Sequence, residues 1–472
     1  MRKKNVVLQQ VLVSDYAAEG KAISRIDGKV VFIEGAVPGD VVDVQLSKNK
    51  KEWSEGRAIR FHTYSNDRVD PFCRHFGICG GCKWQMLPYE KQLQYKQHEV
   101  EQNLRRIGKI ELPPFQPIMG CTGHTHYRNK LEFTFSNKRY LLPSEISNKE
   151  IIPQENALGF HVPRLFDKVI DIYTCHLMPE PVNAIKNTIR AFALQQGYSF
   201  YDIRAHSGWL RNLIIRITTT GEVMVNVCFG HDEENDRRQL FDHLLQAVPG
   251  ITTLLYTINP KWNDTIYDLQ PQVYMGKGYI TEKLTTANGK ELYFKIGPKS
   301  FFQTNTRQAE RLYQVTSDFA ELTGKEVVYD LYCGTGSIGL FVSDGAAKII
   351  GVETVAEAVE DAKENAKLNN IGDAHFYSGD VIDICNDQFF AAHGRPDVII
   401  TDPPRAGMHE KLVKKILDME APVVVYVSCN PATQARDLNL LGEKYNVTKV
   451  QPVDMFPHTH HIENVVQLKL KR

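Results

Sequence analysis

Runs of apolar residues divide the chain into regions of different periodicity. Near the amino terminus the runs are short and rich in β-branched residues. Turn signals such as Ile26-Asp27-Gly28 and Val37-Pro38-Gly39-Asp40 separate them. Five short strands at this spacing predict a small closed β-barrel, because closure leaves no exposed sheet edge. The predicted strands are residues 5–13, 20–25, 29–33, 41–47 and 55–61.

The next region mixes helical and strand patterns. Residues 90–107 have a helical composition and contain neither Gly nor Pro, and they follow a loop rich in cysteine and aromatic residues. The remainder, up to about residue 290, predicts an α+β arrangement. Its predicted strands are 131–135, 213–218, 223–229 and 253–258, and its predicted helices are 182–195 and 237–247.

From about residue 296, strand and helix patterns alternate, which is typical of a doubly wound α/β domain. The chain ends in two further strand-like runs, predicted to be antiparallel at a sheet edge. We therefore predict a multidomain α/β protein with a barrel over 1–65, an α+β domain over 66–290 and a doubly wound, Rossmann-like domain over 291–472. The predicted elements of the last domain are 327–331, 337–342, 348–352, 356–369, 375–377, 397–401, 411–417, 423–427, 449–454 and 465–471.

Composition narrows the class of protein. The 472 residues are 42% hydrophobic, which supports ordinary buried cores. No run of about 18 apolar residues predicts a membrane span, and no apolar signal region follows the first residues, so a cytoplasmic protein is expected. The net charge of zero hides an asymmetry, because residues 1–140 hold 23 Lys and Arg against 15 Asp and Glu. A basic first part suits a polyanion such as RNA, although chance unevenness gives the same count.

Four of the nine cysteines have the spacing of a metal site. Cys73, Cys79 and Cys82 lie close together in the chain, and Cys175 follows 93 residues after Cys82. Four thiolates can hold either a zinc ion or an iron–sulfur cluster, and the spacing alone leaves both open. Cys121, in a glycine-flanked loop, is a rival fourth ligand, and a set of unligated thiols is the third alternative.

A glycine loop follows the first strand of the last domain. Gly334 and Gly336 begin a G-x-G-x-x-G pattern, and Glu353 follows 19 residues after Gly334, at the end of the next strand. This pattern suits a dinucleotide, with the acid on the ribose hydroxyls, and it suits S-adenosylmethionine equally. Asp380 and Asp402, which end the next two strands, favour the methyl donor, since Asp-Pro-Pro after the fourth strand is typical of methyltransferases that act on planar nitrogenous bases.

Three side chains at strand ends suggest a reaction. Cys429 ends an apolar run, Asp402 ends the run before it, and Glu463 lies 34 residues after Cys429. Uracil carbon 5 needs a thiolate at carbon 6 before it can attack a methyl group, and a base must then remove the carbon 5 proton. An inert buried cysteine and a solvated glutamate are the alternatives for Cys429 and Glu463. The histidines 458, 460 and 461 lack the helical spacing of a zinc site, so we interpret them as loop-forming or RNA-contacting residues.

Together these motifs resemble the RNA uracil-C5 methyltransferase family, most nearly its 23S rRNA branch. The amino-terminal barrel is similar to the TRAM RNA-binding module, so the resemblance covers nearly the whole chain. The matching motifs are Phe301-Phe302-Gln303-Thr304-Asn305, Asp330 through Gly336, Asp402-Pro-Pro-Arg405, Ser428-Cys429-Asn430-Pro431-Ala432-Thr433, and Asp454-Met-Phe-Pro457 through Glu463.

The resemblance assigns roles to individual residues. It implies that Cys429 is the nucleophile and Glu463 the base, and that Asp402 also binds the pyrimidine edge. It implies a [4Fe-4S] cluster rather than zinc, and a helix over 90–107 that packs on the catalytic domain. The implied cluster ligands are Cys73, Cys79, Cys82 and Cys175, and the implied S-adenosylmethionine and base pocket comprises Gln303, Tyr332, Gly334, Gly336, Glu353, Asp380 and Asp402.

The expected activity is methylation of carbon 5 of a uridine in a single-stranded or loop region of 23S rRNA, since the target base must leave its stack. No membrane and no obligate protein partner is indicated. One alternative is the same chemistry on the tRNA T-loop uridine, although the typical bacterial tRNA branch lacks both barrel and cluster. The others are a non-catalytic iron–sulfur RNA-binding or ribosome-assembly factor and a nucleotide-dependent oxidoreductase.

Overall fold

The computed structural model of the chain describes residues 6–142, 145 and 146, and 155–472. Its first sheet has six strands: β1 (Val7–Leu12), β2 (Asp15–Tyr16), β3 (Ala22–Ile26), β4 (Lys29–Glu34), β5 (Val41–Asn49) and β6 (Trp53–Thr63). The strand order is β1-β5-β6-β4-β3-β2. Only Val13 and Ser14 separate β1 from β2, so one segment supplies both edges and closes the sheet into a barrel. The predicted barrel is confirmed; Asn5, the predicted start of its first strand, lies outside the described residues.

The segment after the cysteine loop closes one end of the barrel. Trp84, with 1% of its surface exposed, joins the apolar residues of the barrel core, and its ring lies 5.1 Å from that of Tyr16. Helix α1 (Tyr89–Asn103) follows, and a π-helical turn over Leu104–Gly108 ends it. The barrel, the cysteine loop and this helix therefore share one packed region.

The central sheet has seven strands in the order β13-β12-β11-β10-β7-β8-β9, all antiparallel except the pair β11 and β12. Two helices, α2 and α3, pack on it around one apolar core. The bounds are β7 (Lys130–Ser136), β8 (Ala157–His161), β9 (Val169–Asp171), α2 (Val182–Gln196), β10 (Leu210–Ile217), β11 (Val223–Phe229), α3 (Glu234–Ala247), β12 (Thr253–Ile258) and β13 (Gln272–Met275).

A two-stranded hairpin, β14 (Ile280–Thr285) and β15 (Glu291–Ile296), leads into the last domain. Alternate side chains of the hairpin, among them Leu284, Leu292 and Phe294, are buried in the core of that domain. The hairpin therefore packs with the C-terminal part of the chain, and it spans residue 290, where the domain division proposed from the sequence falls.

The C-terminal sheet has seven strands in the order β18-β17-β16-β19-β20-β22-β21. The first five are parallel, whereas β22 is antiparallel to both of its neighbours. The doubly wound domain with antiparallel last strands is confirmed. Its strands are β16 (Val327–Leu331), β17 (Lys348–Glu353), β18 (Ala374–Ser378), β19 (Val398–Thr401), β20 (Val423–Ser428), β21 (Tyr445–Val453) and β22 (Glu463–Leu470).

Helices cover both faces of this sheet, because successive strand residues point to opposite sides. Val328 lies in one apolar core and its neighbour Tyr329 in the other. Within the part of the chain that the structure describes, no helix is long and apolar enough to span a bilayer. The helices are α4 (Thr306–Ala320), α5 (Ser337–Val342), α6 (Ala356–Leu368), α7 (Val381–Ile384), α8 (Asp387–His393), α9 (Glu410–Met419) and α10 (Pro431–Leu441).

Helix α1 packs on this domain although it precedes the central sheet in the chain. Its Val100 lies in the second of the two cores. The fully buried ammonium group of Lys96 lies 2.6 Å from Asp454 Oδ1, and the Tyr89 hydroxyl donates to Asp454 Oδ2 at 2.7 Å. Since a buried charge is tolerated only when it is paired, these bonds fix α1 against the segment that joins β21 to β22.

Candidate active site and cysteine cavity

The direction of β22 brings the nucleophile and base candidates together. Strands β19 and β20 are parallel neighbours, so Asp402 and Cys429, which follow them, lie at the same sheet edge. Strand β22 runs in the opposite sense, and its second residue, Asn464, pairs with Ser428. Glu463, the first residue of β22, therefore lies at the end of the sheet where Cys429 follows β20. All three predicted side chains meet at the carboxyl ends of the parallel strands, where open α/β sheets bind their ligands.

The surroundings of Cys429 favour its neutral thiol. Burial raises the pKa of Cys429 to about 12, the charges of Glu463 and Asp402 add to this rise, and Arg405 opposes it. The side chain is half-buried, so a substrate can still reach the sulfur. The thiol is therefore protonated in the free protein at neutral pH, and a reaction at this sulfur needs a route for its proton.

The pKa values of the Glu463 and Asp402 carboxyl groups are both raised. Glu463 is 6% exposed, and burial, followed by the charge of Asp402, raises its pKa well above the usual range. Burial raises the pKa of Asp402 to about 7. A carboxyl group whose pKa is raised by burial and by a second acid can take up a proton near neutral pH, which is the property a catalytic base needs.

The start of helix α10 fixes the turn after Asp402. Asn430 caps this helix by accepting a hydrogen bond from the Ala432 amide at 3.1 Å, with Pro431 at the first helical position. The side chains of Asn430 and Thr433 both donate to the Arg405 carbonyl, at 3.0 and 3.2 Å. The two loops that carry Cys429 and Asp402 are thus bonded to each other.

The histidines before Glu463 are packed, neutral side chains. Burial lowers the pKa of His458 and His460 to about 4 and that of His461 to about 3. One ring nitrogen of His461 lies 3.0 Å from the Arg405 guanidinium. Backbone amides of Lys83 and Trp84, just after Cys82, donate to the His458 carbonyl at 2.8 and 3.1 Å. These contacts make His458 a loop-forming residue and tie the cysteine loop to the segment before Glu463.

The glycine loop leaves space for a ligand at the end of β16. Gly334 and Gly336 have φ angles of +54° and +77°. A Cβ at Gly334 would meet nothing within 4 Å, whereas one at Gly336 would lie 3.0 Å from the buried Phe376 ring. The Gly334 amide donates to the Glu353 carboxylate at 3.2 Å. Because the open loop and the acid at the end of β17 lie side by side, the residues fit a donor that presents a ribose.

Asp330, which the sequence marked only as the start of a matching motif, lies near the end of β16 beside the glycine loop. It is 1% exposed, accepts a hydrogen bond from the Gly339 amide at 2.9 Å, and burial raises its pKa to about 7. Its second oxygen is buried and has no partner among the described residues. A buried acceptor without a partner is costly, so it suits a site that a ligand completes. The signal in the sequence was a charged residue inside a buried strand.

The other predicted pocket residues lie on three separate segments of the chain. Tyr332, in a left-handed conformation with φ +63°, is half-buried next to the acids that end β17 and β18. Asp380 is exposed and caps α7 by accepting from the Ile382 amide at 2.8 Å. Gln303 is 9% exposed, and its carbonyl accepts from the Asn129 side chain at 2.9 Å. The amide of Asn305 in turn donates to the Met455 carbonyl at 2.8 Å, which joins the Gln303 segment to the loop before Glu463.

The four predicted metal ligands line one cavity of about 560 Å³ between the cysteine loop and the central sheet. Burial raises the pKa of Cys79, that of Cys82 to about 12 and that of Cys175 to about 11, and the mutual repulsion of the thiolates adds to each rise. A positive centre that neutralises these thiolates would remove that cost. The Gly81 amide points to Cys79 Sγ at 3.4 Å, as amides do around metal-bound sulfur.

Cys121, the rival fourth ligand, lies elsewhere. Its thiol donates to the Asp454 carbonyl at 3.1 Å and accepts from Asn305 at 3.6 Å. Among the described residues, no three His, Cys, Asp or Glu side chains are arranged to hold a single metal ion. The cavity thus collects Cys73, Cys79, Cys82 and Cys175 without bringing them as close together as one ion would require.

Comparisons with known proteins agree with this geometry. Residues 265–471 match the family described as tRNA (Uracil-5-)-methyltransferase, and residues 2–59 match the TRAM domain. An uncharacterized RNA methyltransferase of Bacteroides thetaiotaomicron is 54% identical over 96% of this chain and 100% of that protein. A protein of the same description from Porphyromonas gingivalis is 50% identical over 97% of this chain and 98% of that protein.

A solved structure also matches over the whole chain. The tRNA (uracil-54, C5)-methyltransferase of Pyrococcus abyssi, in complex with S-adenosyl-L-homocysteine, has a TM-score of 0.74 and 26% sequence identity. The match covers 98% of this chain and 100% of that protein. The similarity includes the C-terminal fold that contains the glycine loop.

The raised pKa of Cys429 leads to a test with an alkylating reagent. Below its pKa, the thiolate fraction grows about tenfold per pH unit, so alkylation of Cys429 by iodoacetamide should accelerate steadily from pH 7 to pH 9. Asp402→Asn removes a negative neighbour, which lowers the thiol pKa and should raise the rate at pH 8 severalfold. The rate is measured by mass spectrometry of the Cys429 peptide. Asp418→Asn, which changes an exposed acid of α9, serves as the control; a rate that is flat from pH 7 upward would contradict a raised pKa.

Proposed function

The chain belongs to the RNA uracil-5-methyltransferase family, and we propose that it methylates carbon 5 of a uridine in 23S rRNA through a covalent bond from Cys429 to carbon 6. The observation that supports this most is the meeting of Cys429, Glu463 and Asp402 at one sheet edge, beside the glycine loop. This set supplies a nucleophile, a base and a group that can bond to the pyrimidine edge. S-adenosylmethionine supplies an electrophilic methyl group when it is bound.

Cys429 acts first in the proposed reaction. Its thiol releases a proton to solvent, and the resulting thiolate adds to carbon 6 of the uracil, which moves an electron pair to carbon 5. Carbon 5 then forms a bond to the sulfonium methyl group while the methyl–sulfur bond breaks, and the donor leaves as a neutral thioether. Arg405 favours the thiolate, since its positive charge lowers the pKa of Cys429 against the effect of the two acids. The bonds from Asn430 and Thr433 to the Arg405 backbone hold this residue beside the nucleophile.

Glu463 completes the proposed reaction. After methylation, carbon 5 holds both the new methyl group and its original proton, and the thiolate can leave only when that proton is removed. The Glu463 carboxylate takes the proton, and its raised pKa makes it a stronger base than an exposed glutamate. Asp402, which follows β19, orients the uracil by bonding to the polar edge of its ring. The sequence of steps returns Cys429 to its free form.

We propose that the cysteine cavity holds a [4Fe-4S] cluster, as the resemblance to the family implies. In a cubane each cysteine binds a different iron atom, so the sulfur atoms lie farther apart than around one zinc ion. We assign Cys73, Cys79, Cys82 and Cys175 as its ligands. Methyl transfer needs no electron transfer, and the backbone bonds from the cysteine loop to His458 indicate a structural role next to the catalytic segment.

Two other functions are the main competitors. The same chemistry on a tRNA T-loop uridine is favoured by the full-length similarity to the Pyrococcus abyssi enzyme. The 23S rRNA assignment rests on the barrel and the cysteine loop, both of which the typical bacterial tRNA branch lacks. A non-catalytic RNA-binding factor would have no use for a nucleophile and a buried base at one sheet edge.

Nucleoside analysis distinguishes these functions. We expect 23S rRNA from cells that lack the protein to lose 5-methyluridine at one or more positions. The intact chain should restore the modification, and Cys429→Ala should not, because it lacks the thiol that is proposed to bond to carbon 6. The nucleosides of 23S rRNA and tRNA are measured separately by mass spectrometry. A loss confined to tRNA would overturn the substrate but keep the chemistry, and unchanged 5-methyluridine in both RNAs would contradict the enzyme assignment.

Iron analysis tests the cysteine assignment without relying on activity. Protein purified without oxygen should contain about four iron and four sulfide per chain. Cys175→Ser should lose most of both, since it removes one of the four ligands. Cys121→Ser is the matched control and should keep them, because that thiol lies outside the cavity. Zinc in place of iron, or an equal loss in both variants, would contradict the proposed ligand set.

A further inference from the structure

Two buried arginines of β10 hold two loops of the molecule in place. Arg211 is 1% exposed and donates to the carbonyls of Asn259 and Asn263, at 2.6 and 2.9 Å, and to the Asp264 carboxylate at 2.9 Å. Arg216 is 4% exposed and donates to the Ser300 carbonyl at 2.5 Å. Hydrogen bonds from a charged guanidinium are strong, and a buried guanidinium is costly unless it makes them. The bonds of Arg211 and Arg216 therefore hold both loops in place.

These two loops present large aromatic rings to solvent. Trp262 is 75% exposed, Tyr267 is 72% exposed and Phe301 is 70% exposed. The Lys299 ammonium donates to the Tyr267 carbonyl at 3.0 Å, which joins the first loop to the segment that leads into Phe301. Phe301 lies two residues before Gln303 of the candidate pocket. The exposed rings therefore lie on connected segments that end at the active site.

The orientation of Trp262 suits stacking. Its ring lies 4.7 Å from that of His206, and the two planes differ by only 9°. Such a stack supports one face of the indole and, at 75% exposure, leaves much of the ring accessible. Each of the three rings leaves most of its surface in water, and a partner that covers such apolar surface gains free energy. A rigid loop with an exposed, supported indole has the properties of a stacking platform.

We propose that Trp262, with Tyr267 and Phe301, forms a stacking surface for unpaired RNA bases that flank the methylated uridine. The inference rests on the proposed RNA substrate. Every nucleobase has a π-face, so stacking on aromatic side chains suits single-stranded RNA and tolerates different sequences. The Lys299 ammonium beside Tyr267 adds a positive charge that suits the RNA backbone. Phe301 lies two residues before Gln303 in the chain, and the proposed occupant of the surface is the strand that continues from the flipped target base.

Binding measurements with RNAs of two lengths test this surface. One RNA contains the target loop alone, and the other extends it by several unpaired nucleotides on each side. Trp262→Ala should weaken binding of the extended RNA about fivefold to a hundredfold and leave binding of the short RNA nearly unchanged, since each lost stack is worth that much. Trp262→Phe should retain most of the affinity. KM for the extended RNA should rise, whereas kcat at saturating RNA should stay the same.

Matched controls separate a loss of stacking from misfolding. Leu368→Ala, which shortens an exposed apolar side chain at the end of α6, should bind both RNAs like the intact chain. Thermal unfolding should be the same for the variants at position 262, because the ring is mostly exposed. The extended RNA should also quench the fluorescence of the intact chain more than that of Trp262→Phe, since the other three tryptophans are half-buried or buried.

Equal affinity of Trp262→Ala and the intact chain for the extended RNA would overturn the inference. If that variant instead changed self-association or the binding of a ribosomal protein, the surface would be a protein interface and the inference would also be wrong. If the proposed function itself were wrong, the intact chain would methylate neither RNA. If only the stacking surface were wrong, the intact chain would methylate both RNAs and Trp262→Ala would bind them equally well.

Discussion

The antiparallel entry of β22 between β20 and β21 is the constraint on which the catalytic arrangement depends. A parallel strand in that position would place its first residue at the opposite edge of the sheet, about six residues of strand away from Cys429. Because β22 is antiparallel to β20, its first residue, Glu463, lies beside the end of β20. The backbone pairing of Ser428 with Asn464 sets the separation of the nucleophile from the base. The position of Glu463 is therefore fixed by backbone hydrogen bonds rather than by a flexible loop.

Several parts of the chain meet around the segment that joins β21 to β22. Helix α1 holds Asp454 through a buried ion pair, the cysteine loop bonds to the His458 backbone, and Gly20 of the barrel lies so close to His460 that a Cβ there would approach it to 2.8 Å. The barrel, the cysteine loop and the catalytic domain thus form one packed body around the residues before Glu463. The cysteine loop therefore contacts the segment before Glu463, and this contact requires no chemical role for the cysteines.

Sequence patterns predicted the C-terminal sheet well, since strands buried on both faces are nearly continuous apolar runs, as in Val423–Ser428. They missed the hairpin β14 and β15, although polar and apolar residues alternate along both strands and Asn288-Gly289 between them is a hairpin signal. They also missed the short strands β2, β8, β9 and β13. Spacing could not choose between Cys121 and Cys175, because distance along a chain of this length says little about distance in space. The roles of Cys429 and Glu463 came from motif resemblance, whereas the burial of Glu463 and the part played by Asp330 needed the structure.

The most direct test of the account follows the covalent bond in the Glu463→Gln variant. This variant keeps the nucleophile but lacks the base, so with S-adenosylmethionine and a substrate RNA it should accumulate an enzyme–RNA adduct. Mass spectrometry of the digested adduct should find methylated uridine attached to Cys429. Release of methylated RNA at the normal rate, or attachment to a different cysteine, would contradict the assignment of Cys429 as nucleophile and Glu463 as base.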